Sequence, residues 1–130
     1  MKGSVEWVEG KTMRGITESG KITEFYSDSA ASPMEIVQQA HAACSMIDLF
    51  VGLKDRMDNV KSMKININTD RKPEPPRVFT NIDMKYIIEG NVPEKLVRRI
   101  IQASHDKFCS VGKMLTGSGA ALTWSLEIRP

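Results

Sequence analysis

Sulfur and imidazole are scarce in this chain: 130 residues carry two cysteines and two histidines. Aromatic side chains make up 6% of it, and no block of like charges occurs. Each scarcity excludes something. Two cysteines cannot form the bridged framework of a small secreted domain, and a chain of this length that is 41% apolar can bury one core without staples. A formal net charge of +2 with the signs interspersed leaves no footprint for nucleic acid or an anionic membrane. Residues 1–30 hold no apolar run of the signal-peptide kind, and no stretch nears the roughly 20 apolar residues that cross a bilayer. Internal repeats, linkers and low-complexity tracts are missing as well. The expectation is one cytoplasmic domain over residues 1–130, with no nucleic-acid partner, no membrane partner and no cofactor. There a lone cysteine pair signals redox or metal chemistry more often than a structural bridge.

What is present reads as a mixed chain. Breaks at Glu9-Gly10-Lys11 and Ser19-Gly20-Lys21 divide the first thirty residues into short strands, with Val5, Trp7, Ile22 and Phe25 predicted on a half-buried face. Ser32-Pro33-Met34-Glu35 places Ser at a cap, Pro at the first helical position and Glu at the third, so a long helix starts there and runs to about Arg56. Its apolar residues lie on nearly every face, which predicts cover from its own sheet and from a second subunit. Met63–Asn68 and Ile82–Tyr86 alternate strictly and are predicted strands, separated by the proline loop Arg71–Arg77. Asn91 to Glu94 repeats the capping pattern ahead of a second amphipathic helix bearing Leu96, Val97, Ile100, Ile101 and Phe108. Leu122, Trp124, Leu126 and Ile128 mark a closing strand. The order is strands, helix, two strands, helix, strand, an α+β arrangement.

The rare residues come in pairs, His41 with Cys44 and His105 with Cys109. Spacings of three and four put each His on the same face as its Cys wherever the segment is helical. Cys44 falls mid-helix, in surroundings expected to be buried, where a thiol is inert unless a cation or donor favours its thiolate. Asp48, one turn on, works against ionisation, and His41 works for it only when protonated. Cys109 follows the second helix, and Ser110–Leu115 is able to start another, leaving this thiol near a helix N-terminus whose dipole favours thiolate. Plain core cysteines and satisfied histidines remain the alternative for all four.

Ser32-Pro33-Met34-Glu35 running through His41-Ala42-Ala43-Cys44-Ser45-Met46-Ile47-Asp48, and then Lys107-Phe108-Cys109-Ser110-Val111, resembles the OsmC/Ohr family of osmotically inducible and organic-hydroperoxide-resistance proteins, in its OsmC-like branch. The resemblance spans essentially the whole chain. It implies an α+β OsmC-like fold: an N-terminal β-meander, a long central helix, a β-hairpin, a second helix and a final strand, intertwined into a homodimer. It implies a thiol-dependent peroxidase in which Cys44 attacks a small-molecule hydroperoxide and becomes a sulfenic acid, Cys109 resolves it to a disulfide, and a dithiol reductant reopens the bond. The peroxidase members hold the thiolate with an Arg of the first hairpin, where this chain has Lys11 with Arg14 three residues on. They carry a Glu at the helix entrance where this chain has Met34, with Glu35 next to it. Lys11, Arg14 and Glu35 are therefore the expected stabilising residues, with a capping role also open to Glu35. Two further functions are carried: a non-catalytic dimeric ligand-binding protein, and a zinc protein using both His and both Cys. Arg77 is expected to be solvated or to close over a partner's site.

Overall fold

A computed structural model describes residues 1–130. Two compact units are evident, Met1–Val37 and Gln38–Pro130. In the first, β1 (Gly3–Glu9), β2 (Thr12–Thr17) and β3 (Ile22–Phe25) form an antiparallel meander in the order β1-β2-β3. Its turns fall at the two glycine breaks read from the sequence. The half-buried face expected for β1 is not formed: every residue of this strand is exposed, Trp7 at 72%. Alternation fixes which side chains share a face but not whether a second layer covers that face.

The start of α1 (Pro33–Leu53) is built as predicted. The Glu35 N–H reaches the Ser32 hydroxyl at 3.4 Å, and the Glu35 carboxylate accepts from the Ser32 N–H at 3.0 Å and its hydroxyl at 2.7 Å. These bonds satisfy donors that a helix start otherwise leaves without partners.

In the second unit the sheet order is β4-β5-β6, from β4 (Val60–Arg71), β5 (Phe79–Gly90) and β6 (Ala121–Arg129). The β4–β5 hairpin is antiparallel and joined by the proline loop, whose Arg71 and Arg77 guanidiniums bond to loop carbonyls. β6 returns parallel to β5 through α2 (Glu94–Ala103), a π-helical turn (Ser104–Phe108) and α3 (Ser110–Gly117). β5 is central and carries the core, with Ile82, Met84, Tyr86 and Ile88 buried on one face. Each contributes about 1.5–3 kcal/mol by leaving water.

α1 buries a narrower stripe than its composition predicts: His41, Ser45, Leu49 and Leu53, spaced one turn apart. Ile47, Phe50 and Val51 are exposed. Counting the 3-10 turn that follows, Pro33–Asn59 is a 27-residue helical stretch that is long and apolar enough to cross a membrane by length and composition alone. Sequence inspection missed it because Gln38, Gln39, His41 and Asp48 interrupt every apolar run without lowering the average much. The capping expected at Asn91–Glu94 is absent, for the residue preceding α2 is Pro93 and no side chain caps it. Phe108 is 63% exposed rather than on a buried helix face. The π turn widens the spiral, so a phase counted at 100° per residue slips before reaching it.

Candidate active site

All four rare residues lie in the second unit, where α1, β5, the π turn and the start of α3 converge. Cys109 is completely buried, has extended backbone and caps α3. Its sulfur accepts from the Gly112 N–H at 3.4 Å, and its thiol donates to the His41 carbonyl oxygen at 3.9 Å. His105 and Cys109 thus do not share an α-helical face; the π turn and an extended residue separate them. Burial pushes the Cys109 thiol up to about 11; the Gly112 N–H opposes this, while the neighbouring Cys44 thiol and, more weakly, Asp48 add to it. Cys44, expected to be buried, is only half-buried. Both thiols are free.

Behind the sulfurs runs a chain of hydroxyls. Asp48 Oδ2 accepts from Ser104 at 2.6 Å, Ser104 lies 3.0 Å from Ser45, Ser45 lies 2.6 Å from the Tyr86 hydroxyl, and that hydroxyl lies 2.9 Å from His105 Nε2. A carboxylate only accepts, and each hydroxyl has one proton to give. All four bonds are made only if Ser104 donates to Asp48, Ser45 to Ser104, Tyr86 to Ser45, and His105 Nε2–H to Tyr86. Burial pushes the Tyr86 phenol well up. It pulls His105 down to about 4, with nearby His41 acting the same way and Asp106 and Asp48 against. His105 also packs edge-on to Tyr86 and to His41, ring centroids 6.0 and 6.3 Å apart, and at a tilt to Trp124 at 6.4 Å.

Sequence reasoning missed Ser45, Tyr86 and Ser104 as a connected set. The one available signal was Ser45, which sits on the His41–Leu49 stripe and must find a partner if that stripe is buried. The stabilising candidates belong to the first unit. Arg14 pairs with Glu24, its cross-strand neighbour, at 3.8 Å. Lys11 lies 5.6 Å from the centroid of the Tyr26 ring. Glu35 is held in the helix cap, where Ser32 keeps its carboxyl below the usual range. No group of three or more His, Cys, Asp or Glu side chains is arranged to hold a metal ion, so the four rare residues do not fit a tetrahedral zinc centre.

Residues 26–125 match the family model described as OsmC-like protein. Protein YhfA of Escherichia coli (strain K12) is 34% identical over 132 residues, covering 98% of each chain. A crystal structure of a hypothetical protein from Aquifex aeolicus VF5 is 25% identical, with a TM-score of 0.84, covering 99% of this chain and 97% of the other. The organic hydroperoxide resistance protein OhrB of Bacillus subtilis shares the fold at 14% identity, with a TM-score of 0.60 over 98% of each chain.

Proposed function

Since this chain belongs to the OsmC-like protein family, we propose that it is a two-cysteine peroxidase, one OsmC-like domain over residues 1–130 that reduces organic hydroperoxides or hydrogen peroxide. The observation that carries this reading is the asymmetry of two neighbouring free thiols. Cys44 is partly open and able to meet a peroxide, whereas Cys109 is sealed from it and suited only to meet Cys44. The Cys44 thiolate attacks the terminal peroxide oxygen, the O–O bond breaks, alcohol or water leaves, and a sulfenic acid forms. Cys109 displaces its hydroxyl as water, and a dithiol reductant reopens the disulfide. The resistance to organic hydroperoxides for which OhrB is named supports the substrate class at the level of the shared fold.

Anaerobic treatment with excess tert-butyl hydroperoxide, followed by mass-based thiol counting, is expected to show both thiols lost in one Cys44–Cys109 disulfide. Cys44→Ser should abolish turnover with a dithiol, and Cys109→Ser should stop at a sulfenic or more oxidised Cys44. Unchanged masses would rule the reading out. One observation favours the binding-module alternative. Arg14 and Lys11 have partners within the first unit, Glu24 and the Tyr26 ring, and Glu35 serves a cap, so no thiolate-holding role is needed to explain them. Absence of turnover with a folded protein and a supplied dithiol would select that alternative. The exposed Ile47, Phe50 and Val51 on α1 support a homodimer, and a lone cysteine pair assigned to redox chemistry rather than to a structural bridge supports a cytoplasmic setting.

A further inference from the structure

We propose that His41 is the general base of the disulfide-closing step, taking the proton from Cys109 as its sulfur attacks the Cys44 sulfenic acid; this inference rests on the two-cysteine reading. His41 is wholly buried, and neither ring nitrogen has a hydrogen-bond partner. A fully buried imidazole with both nitrogens idle is costly to fold around, and such groups call for an explanation in chemistry or in a missing partner. Its surroundings supply one. A Cβ placed on Gly112 would stand 2.8 Å from His41 Nε2 and 3.2 Å from the Cys109 sulfur, so the bare α-carbon of this glycine is what lets imidazole and thiol share one pocket wall. The Cys109 thiol donates a hydrogen bond to the His41 backbone carbonyl at 3.9 Å, which holds the sulfur beside this residue while leaving its ring nitrogens unengaged.

The chemistry requires a base at this point. Burial pushes the Cys109 thiol well above its usual range, so it is held as the thiol at pH 7, which makes unaided attack slow. Burial lowers the His41 pKa, so the ring is neutral and ready to accept at that pH. The Gly112 N–H points at the sulfur and stabilises the charge that develops as the proton leaves. The other titratable groups around the pair are Cys44 and Asp48 on α1, Tyr86 on β5 and His105 on the π turn.

The step balances. The Cys109 sulfur forms the S–S bond, the S–O bond of Cys44 breaks, and hydroxide departs with that electron pair. The proton held by His41 then converts hydroxide to water. Cys109 is oxidised and Cys44 is reduced by the same amount.

The test resolves the two steps by rapid quench and mass analysis after one equivalent of tert-butyl hydroperoxide, from pH 6 to 9. In the native chain, closure should be nearly flat with pH. In His41→Gln and His41→Phe, closure should slow on the order of a hundredfold at pH 7 and then rise about tenfold per pH unit as thiolate replaces base catalysis. Gly112→Ala keeps both reacting groups and crowds the imidazole, so it should shift closure in the same direction even if the His41 variants fail to fold. Native rates and a native pH profile in a folded His41 variant overturn the proposal while leaving the two-cysteine reading intact. If the native chain oxidises Cys44 and never closes a disulfide, both are lost.

Discussion

At the residue scale, His105 carries the sharpest expectation. Its bond to Tyr86 terminates a hydroxyl chain whose polarity is set by the Asp48 carboxylate, which fixes the neutral ring as the Nε2–H tautomer. Nitrogen-15 chemical shifts of the imidazole at pH 7 should report that tautomer alone. Tyr86→Phe keeps the ring contacts and deletes the hydroxyl, so both tautomers should appear and stability should fall by about 1–3 kcal/mol, since Ser45 and His105 lose a buried partner. Finding the Nδ1–H form in the native protein would refute the assigned polarity. Glu35 illustrates how much one residue shows in sequence. Ser-Pro-x-Glu specified its cap bonds because they form within a single turn, whereas the partners of Tyr86 come from positions 41 and 19 residues away.

The elements were legible wherever their cause was local. Alternation located β4, β5 and β6, the prolines placed the hairpin loop, and the cap set the start of α1. The boundary between α2 and α3 was only half legible: a new helix after Cys109 was expected, but the π turn that exposes Phe108 was not, because a wider turn leaves no periodic signature of its own. α1 shows a second limit. Its apolar circumference predicted cover on most sides, and the unit supplies cover only along His41, Ser45, Leu49 and Leu53. Ile47, Phe50 and Val51 sit at helical spacings that make one stripe, and a second copy of the chain is the occupant proposed for it. Sedimentation equilibrium at micromolar concentration should give a dimer for the native chain, and Phe50→Glu should give a folded monomer. A monomeric native protein would remove the homodimer from the account.

For the whole molecule, the buried imidazoles shape stability against pH. The folded His105 titrates at about 4 instead of 6.5, so between those values the unfolded chain binds a proton that the folded one refuses. Stability therefore rises with pH across that window, by at most about 3 kcal/mol for this group, and levels off above pH 6.5. His41 is lowered too and acts in the same direction. The Cys109 thiol, raised from 9.0 to about 11, has the opposite consequence at the alkaline end, where the unfolded chain ionises first and stability declines. Urea unfolding at pH 4, 5, 6 and 7 should show the acid slope, and His105→Gln should flatten much of it. A native unfolding midpoint that does not change from pH 4 to 7 would contradict the burial assigned to both rings.

By itself the sequence determined the α+β order, the entrance of α1, the proline loop and the pairing of rare residues, since each depends on periodicity or capping within a few positions. Only the tertiary structure decided that Cys44 is half-buried while Cys109 is sealed, that Gly112 brings imidazole and thiol to one wall, and that Asp48 reaches His105 through three hydroxyls. Those relations join residues as far apart as His41 and Gly112, and they follow from how α1, β5, the π turn and α3 pack against one another. Local patterns along a chain state which face a side chain occupies; what that face meets is settled by packing.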